Sequence, residues 1–323
     1  EMTNKERVIW LLFACVLAVL FLLSSTDLII KERKSEIYSI AVIIEDSRDD
    51  HYVNFKKGMD QAAIALNADV SFITLYDARS SRQQMDMILR EQQDGSGAIV
   101  VSPVQEMDLL HMMEQNQIRV PLVVLNSERT DSRIAAAISP DYYAMGQMLG
   151  REIIREHPLV CPVFLFCQYE PTGGSELFYS GVNGVFADYG YPTELFLKPG
   201  EAGFDRILTA NAAPNKGIVV VALDQESLVE TAAALSENSI LAGLTAGLYG
   251  RGNGINMLNY LDRGIISGLC VTDDFSAGYF SVQYAIEAIT KKRERGLVTL
   301  DSYYIRREDI RKPEYEKMLY PIE

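Results

Sequence analysis

The sequence predicts an α/β protein of two doubly wound parallel-sheet lobes joined by three crossovers, preceded by one N-terminal transmembrane helix. Three observations carry this. Near-continuous apolar runs such as Ile37–Ile44 (IYSIAVII) and Ile218–Leu223 (IVVVAL) suit parallel strands buried on both faces. They alternate with segments apolar at helical spacing, which implies right-handed crossovers and helices on both faces of a sheet. The alternation restarts near Pro162, which gives two sheets of five or six strands rather than one.

The first unit shows the pattern most fully. Ile40, Val42 and Ile44 share one strand face, the loop Glu45–Tyr52 follows, and Phe55, Met59, Ala62, Ala63 and Leu66 then recur at helical spacing. In a doubly wound sheet, ligands bind at the carboxyl ends of strands. The loop there carries Glu45, Asp46, Asp49, Asp50, His51 and Tyr52, which makes it a candidate wall of a ligand site. Further strands are expected at Val70–Leu75, Ala98–Val101, Val120–Leu125 and Ile134–Ile138. Helices are expected at Arg82–Gln92, from Met107 to Met113, and at Tyr142–Arg155.

After the restart the expected strands are Pro162–Phe166, Thr193–Leu197, Ile218–Leu223, Ile240–Leu244, Ile265–Val271 and Thr299–Ile305. The helices between them are Gly174–Tyr189, Phe204–Ala212, Gln225–Ser236, Ile255–Leu261 and Ser276–Lys291. Gly250-Arg-Gly-Asn-Gly254 lacks the Lys-Ser/Thr of a phosphate loop and reads as a flexible turn.

Composition excludes more than it identifies. At 323 residues and 48% hydrophobic the chain can bury a sizeable core. A net charge of −14 argues against a nucleic-acid footprint. Three His, and no Cys/His spacing of the zinc type, leave no metal site in view, and no cofactor motif is present. Cys161 and Cys167 lie in one strand about 20 Å apart, too far for a disulfide, so the thiols are expected free and buried. No Ser/His/Asp or Cys/His constellation assembles, so an enzyme is not expected.

Val8–Leu23 (VIWLLFACVLAVLFLL) carries no charge and suits a membrane span or a signal-peptide core. Leu22 and Leu23 occupy the positions where a cleavage site needs small residues. Cys15 follows Leu12-Phe13-Ala14, a poor lipoprotein box because Phe13 is bulky and apolar residues continue beyond. The reading is an uncleaved signal anchor over residues 1–36, with the remainder extracytoplasmic. Lys5 and Arg7 on one side, and Lys31, Arg33 and Lys34 on the other, leave orientation open.

From Ile37 onward the chain resembles the type I periplasmic sugar-binding family, which includes the ribose-binding protein and the ligand domains of LacI-type repressors. The resemblance rests on the opening strand with YVNFKKGMDQAA, on VPLVVLN followed by ISPDYYAMG, and on GFDRI at Gly203–Ile207. It continues through IVVVALDQESL and GIISGLCVTDDFSAGYF. It implies two lobes joined by three crossovers, one of residues 37–140 plus 273–301 and the other of 141–272 plus 302–323, closing on a ligand. The DNA-reading helices of the repressors are absent.

Carried over position by position, the resemblance places Glu45, Asp49, His51 and Tyr52 in the first loop of the ligand site. Asn126 stands where an acid–arginine pair is usual, and Phe178 where an arginine is usual. Phe204 stands at a stacking aromatic, Asp224 at an Asn-Asp pair, and Thr245 and Thr272 at an acid and an amide. Phe178 and Phe204 read equally well as core, and Asp224 as a helix cap. Tyr52 and Phe204 are expected to sandwich the ligand. With both usual arginines gone, the expected ligand is a neutral or amine-bearing sugar-like compound rather than an anion. The partners implied are an ABC permease or a sensor histidine kinase. The rival reading is a degenerate fold that serves protein interaction without a small-molecule ligand.

Overall fold

Strand β1 (Tyr38–Ile44) sets the architecture: from Ile40 to Ile44 no residue is more than 1% exposed, as a central strand covered on both faces requires. A computed structural model of the chain describes residues 3–25, 37–45, 52–77, 80–104, 106–127, 134–198, 200, 203–211, 217–291 and 296–320. Among these, β2 (Ala68–Thr74), β3 (Ala98–Val101), β4 (Leu122–Leu125) and β5 (Ile134–Pro140) follow β1. The second series is β6 (Val163–Cys167), β7 (Thr193–Leu197), β8 (Ile218–Ala222), β9 (Thr245–Arg251) and β10 (Gly268–Thr272). Last come β11 (Gly296–Leu300) and β12 (Ser302–Ile305).

These strands make two sheets. The first has the order β11-β5-β4-β3-β1-β2 and is parallel throughout. The second has the order β12-β10-β9-β8-β6-β7, parallel except where β12 runs antiparallel to β10. The chain therefore passes between the sheets three times: from β5 to β6, from β10 to β11, and from β11 to β12. Apolar clusters cover both faces of each sheet.

Both lobes share one packing device. In the first, helices Val53–Leu66 and Asp274–Ile289 cross at Gly58 and Gly278. A Cβ on either glycine would sit 1.9 Å from a carbonyl oxygen of the other helix, that of Phe275 or of Phe55. In the second, helices Tyr142–Glu156 and Gly174–Asp188 cross at Gly146 and Gly181, where a Cβ would lie 2.3 and 2.2 Å from backbone oxygens. Only glycine permits backbones to approach so closely. The opening turns of the four helices are drawn together in pairs as a result.

Two elements differ from expectation. Ile240–Leu244 is not a strand: Ser239–Leu244 is a helix, because the Asn238 side chain accepts from the Ile240 and Leu241 amides at 3.0 and 3.3 Å. The strand comes next, as β9, and takes in Gly250 and Arg251, which the sequence placed in a flexible turn. Thr299–Ile305 is two strands, split at Asp301, one in each sheet. The C-terminal helix Pro313–Leu319 then packs Met318 and Leu319 into the core of the second lobe.

The helix Asn4–Ser25 belongs to a separate unit, residues 1–37, apart from residues 38–323. Its apolar side chains from Val8 to Phe13 are all more than half exposed, so they lie on every side of the helix. Among the described residues no helix is long and apolar enough to cross a membrane. The apolar side chains described there run from Val8 to Leu22, about 22 Å of helix against about 30 Å of hydrocarbon. All four cysteines are free; Cys167 and Cys270 are buried as expected, whereas Cys161 is only half-buried and Cys15 on this helix is exposed.

Candidate functional site

Side chains from the carboxyl ends of both sheets meet in one wedge. From the first lobe come Glu45 after β1, Ser102 after β3 and Asn126 after β4, together with Tyr52, which opens helix Val53–Leu66. Tyr142 opens the helix after β5 and packs in the second lobe's core. Its hydroxyl nevertheless donates to Asn126 Oδ1 at 3.2 Å, across to the first lobe. Asn126 holds a left-handed backbone (φ 56°) and approaches Ser102 Oγ through Nδ2 at 3.4 Å. Asn54 makes a second cross-lobe link, donating from Nδ2 to the Leu319 carbonyl at 2.9 Å.

Burial pushes the Tyr52 phenol well above its ordinary range, and the nearby charges of Glu45 and Asp274 push it the same way. It therefore stays neutral, and its hydroxyl shares a hydrogen bond with the Ser102 side chain. Its ring meets Phe55 and Phe72 edge-on at 5.9 and 6.1 Å.

Arg251 dominates the second-lobe wall. Its Nε donates to the Leu223 carbonyl at 3.0 Å and its Nη2 to Ser175 Oγ at 3.0 Å. The guanidinium lies 4.9 Å from the centroid of the Tyr142 ring and 5.5 Å from that of Phe178. The next residue, Gly252, adopts φ 129°, a conformation glycine alone takes readily, and this turns the chain away directly after the arginine. Asn253 then donates to the Thr272 carbonyl at 3.2 Å, and Thr272 Oγ1 donates to Asp274 Oδ1 at 2.9 Å. Burial raises the Asp274 carboxyl to about 6, against hydrogen bonds from Thr272 and Asn253 that lower it. Beneath this wall, burial first and the Asp224 charge second push the Cys167 thiol up to about 12, so it is an inert core group.

The residues singled out from sequence fall into three groups. Glu45, Tyr52, Asn126 and Thr272 stand at the carboxyl ends of strands, in the wedge. Asp49 and His51 lie outside the described residues.

Four others need correction. Phe204 is 1% exposed and stacks on Phe166 at 4.5 Å with 13° between planes, so it is core and cannot face Tyr52 across a ligand. Phe178 is fully buried and lies under Arg251, which it supports. Asp224 caps helix Gln225–Glu237: Oδ1 accepts from the Ser227 amide, and Oδ2 from the Gln168 amide and Ser227 Oγ. Thr245 begins β9, at the opposite end of the sheet from the wedge, and donates to the Leu241 carbonyl.

Sequence reasoning missed Arg251, Asn253, Asp274, Tyr142 and Ser175. The signal available for Arg251 was the alternation of TAGLYGR after an Asn cap at 238, which starts the strand later than the apolar run suggests. The conclusion that this site lacks a guanidinium therefore falls.

With the wedge described, comparison with known proteins adds the lineage. Residues 40–293 match the periplasmic binding protein domain. The chain belongs to that family. Such binding proteins hold a solute and do not transform it. No curated protein matches the sequence.

Similar solved structures cover most of this binding protein. One is an ABC transporter solute-binding protein from Agrobacterium vitis bound with α-D-tagatopyranose, at 17% identity and TM-score 0.77, covering 88% of this chain and 100% of that one. A second from the same organism, with bound D-fucose, has 19% identity and TM-score 0.73 over 87% and 99% of the two chains. The third is GanP, a glucose-galactose binding protein from Geobacillus stearothermophilus, with 16% identity and TM-score 0.74 over 86% and 100%. At these identities the likeness establishes the fold.

Proposed function

We propose that this protein is an extracytoplasmic sugar receptor that closes on its ligand. One lobe comprises residues 37–140 plus 273–301, and the other 141–272 plus 302–323. The observation that carries this reading is the convergence of Glu45, Tyr52, Asn126, Arg251, Thr272 and Asp274 on one wedge, bridged across the lobes by Tyr142 and Asn126. Hydroxyls of a sugar both donate and accept, and this set supplies acceptors, donors and aromatic edges at once. Sugars bound in the two Agrobacterium vitis structures support the class of ligand.

The exposed apolar surface of helix Asn4–Ser25 from Val8 to Leu22, present on every side, supports retention at a membrane, because a stretch apolar all round requires an apolar surrounding. The receptor serves either delivery to an ABC permease or signalling to a sensor histidine kinase through that helix. Carbonate extraction should leave the full chain in the membrane pellet, and its release to the supernatant refutes the attachment.

Thermal denaturation in the presence of monosaccharides tests the receptor reading. A sugar at a hundredfold its dissociation constant adds about 2.7 kcal/mol of stability. If no monosaccharide, neutral or charged, raises the melting temperature, the receptor reading is wrong and the protein-interaction reading takes its place.

A further inference from the structure

Arg251 is a half-buried cation with no ion-pair partner among the described residues. Its hydrogen-bond partners are the Leu223 carbonyl and Ser175 Oγ, both neutral, and among the described residues it makes no ion pair. Asp224, the acid that follows Leu223, makes no ion pair with Arg251 and accepts from three neutral donors of its own lobe. A guanidinium has five N–H donors in a fixed fork, and the described residues use two of them. Both donors on Nη1 and one on Nη2 remain. The two rings behind the guanidinium and the two neutral acceptors hold the fork in one orientation without cancelling its charge.

Ser175, which holds Nη2, lies in the first turn of helix Gly174–Asp188, whose N-cap is a glycine without a side-chain cap; the Ser175 amide donates to the Thr172 carbonyl at 3.1 Å, and Glu176 places an acid in the same turn. Gly174 cannot carry a side chain, because a Cβ there would lie 2.4 Å from the Tyr142 ring. The ring thus fixes the helix start beside the arginine. The opposite wall has the other sign, with Glu45 in the first lobe and Asp274 at the crossover. The wedge is therefore polar from one side to the other.

We propose that the open fork of Arg251 receives a carboxylate, so that the sugar bound by this protein is an acidic one of the uronic or aldonic type. This rests on the sugar-binding reading above. The ligand lies with its carboxylate on the second lobe, in two parallel N–H···O bonds to Arg251. Its hydroxyls turn to the first lobe, where Glu45 and Asn126 accept from them. A neutral sugar leaves the buried fork donors without a charged partner, and an amine-bearing sugar meets the guanidinium with like charge. The preference is thus opposite to the one expected when this site was read as lacking an arginine.

The test is calorimetric titration of the full chain with D-glucose, D-glucosamine and D-glucuronate, a set matched in ring and differing at one substituent. Variants Arg251→Met and Arg251→Lys follow, each first shown to melt cooperatively. Charge-assisted bidentate recognition predicts that the parent binds glucuronate about ten- to a hundredfold tighter than glucose. Arg251→Met should abolish that preference, lowering the affinity for glucuronate far more than that for glucose. Arg251→Lys, which keeps the charge and loses the fork, should recover only part of it. Equal affinity for glucose and glucuronate overturns the proposal and leaves the receptor reading standing. So does a preference that persists in Arg251→Met. If none of the three binds and no other sugar acid does, the proposal falls, and the receptor reading falls with it only if no neutral monosaccharide binds either.

Discussion

Replacing Gly278 with Ala forces apart the two helices whose first turns form the first-lobe wall. The new Cβ would sit 1.9 Å from the Phe55 carbonyl oxygen, 2.8 Å from its carbon and 2.9 Å from the Met59 nitrogen. An ordinary carbon–oxygen contact is about 3.3 Å or longer, so the helices must separate by about 1.4 Å. All three atoms are backbone, so no side chain can swing aside. A radial gap of that size forfeits a quarter to a half or more of the dispersion between facing atoms, here among Met59, Ala62, Val282 and Ala285. Overpacking of this kind typically costs about 1–3 kcal/mol. Alanine's better helix propensity returns up to about 1 kcal/mol of it. Gly184, in helix Gly174–Asp188, provides the control, because nothing lies within 4 Å of its Cβ position. Gly184→Ala should stabilise by about 0.5–1 kcal/mol.

Thermal unfolding followed by far-ultraviolet circular dichroism separates the pair, since each kcal/mol moves the melting temperature by about 2–4 °C in a domain of comparable size. The order of melting should be Gly184→Ala, parent, Gly278→Ala, from highest to lowest. The displacement also separates Tyr52 from Asp274, because these residues open the two helices, so sugar affinity should fall in Gly278→Ala alone. A Gly278→Ala protein as stable as Gly184→Ala would mean that the backbones do not approach as described.

Asp274 and Phe204 give two further tests. The folded Asp274 carboxyl holds its proton up to about 6 against an ordinary 3.8, so the stability it contributes is full below about pH 4 and is lost as pH rises from there through 6. Asp274→Asn should therefore melt higher relative to the parent at pH 7.5 than at pH 4, and an equal difference at both values refutes the burial argument. Phe204→Ala should lose about 3–5 kcal/mol by denaturant unfolding, the size expected for a core aromatic, and a loss of binding with unchanged stability would return Phe204 to the ligand site.

Much of the architecture was legible because the buried parallel strands declare themselves. The runs AIVV at Ala98–Val101 and IVVVA at Ile218–Ala222 are apolar on both faces and bounded by turn residues, a pattern that suits a strand inside a sheet. The failure at Ile240–Leu244 has a specific cause. Five apolar or small residues suit either a short helix or a strand, and the Asn238 side chain, which caps the helix, decides between them. That single displacement carried the expected ligand residue from the carboxyl end of β9 to its start. It put Thr245 in the site and left Arg251 in a supposed turn.

Phe204 shows a different limit. An aromatic at a helix start has the same local pattern whether it stacks on a ligand or on Phe166, and only the packing of β6 against that helix separates the two. Asp224 was legible as a cap, because an acid three residues before Ser227, at the start of an apolar-periodic segment, matches the N-cap pattern.

The central claim, that a sugar is held between the carboxyl ends of the two sheets, is tested most directly by amide hydrogen exchange of the full chain. The experiment uses whichever sugar most raises its melting temperature. The account predicts slowed exchange in both lobes together: around Ser102 and Asn126 in the first, and around Ser175, Asn253 and Thr272 in the second. Protection confined to one lobe, or to the polar pocket around Gln92, Asn116 and Arg119 at the amino ends of the first sheet, would contradict it.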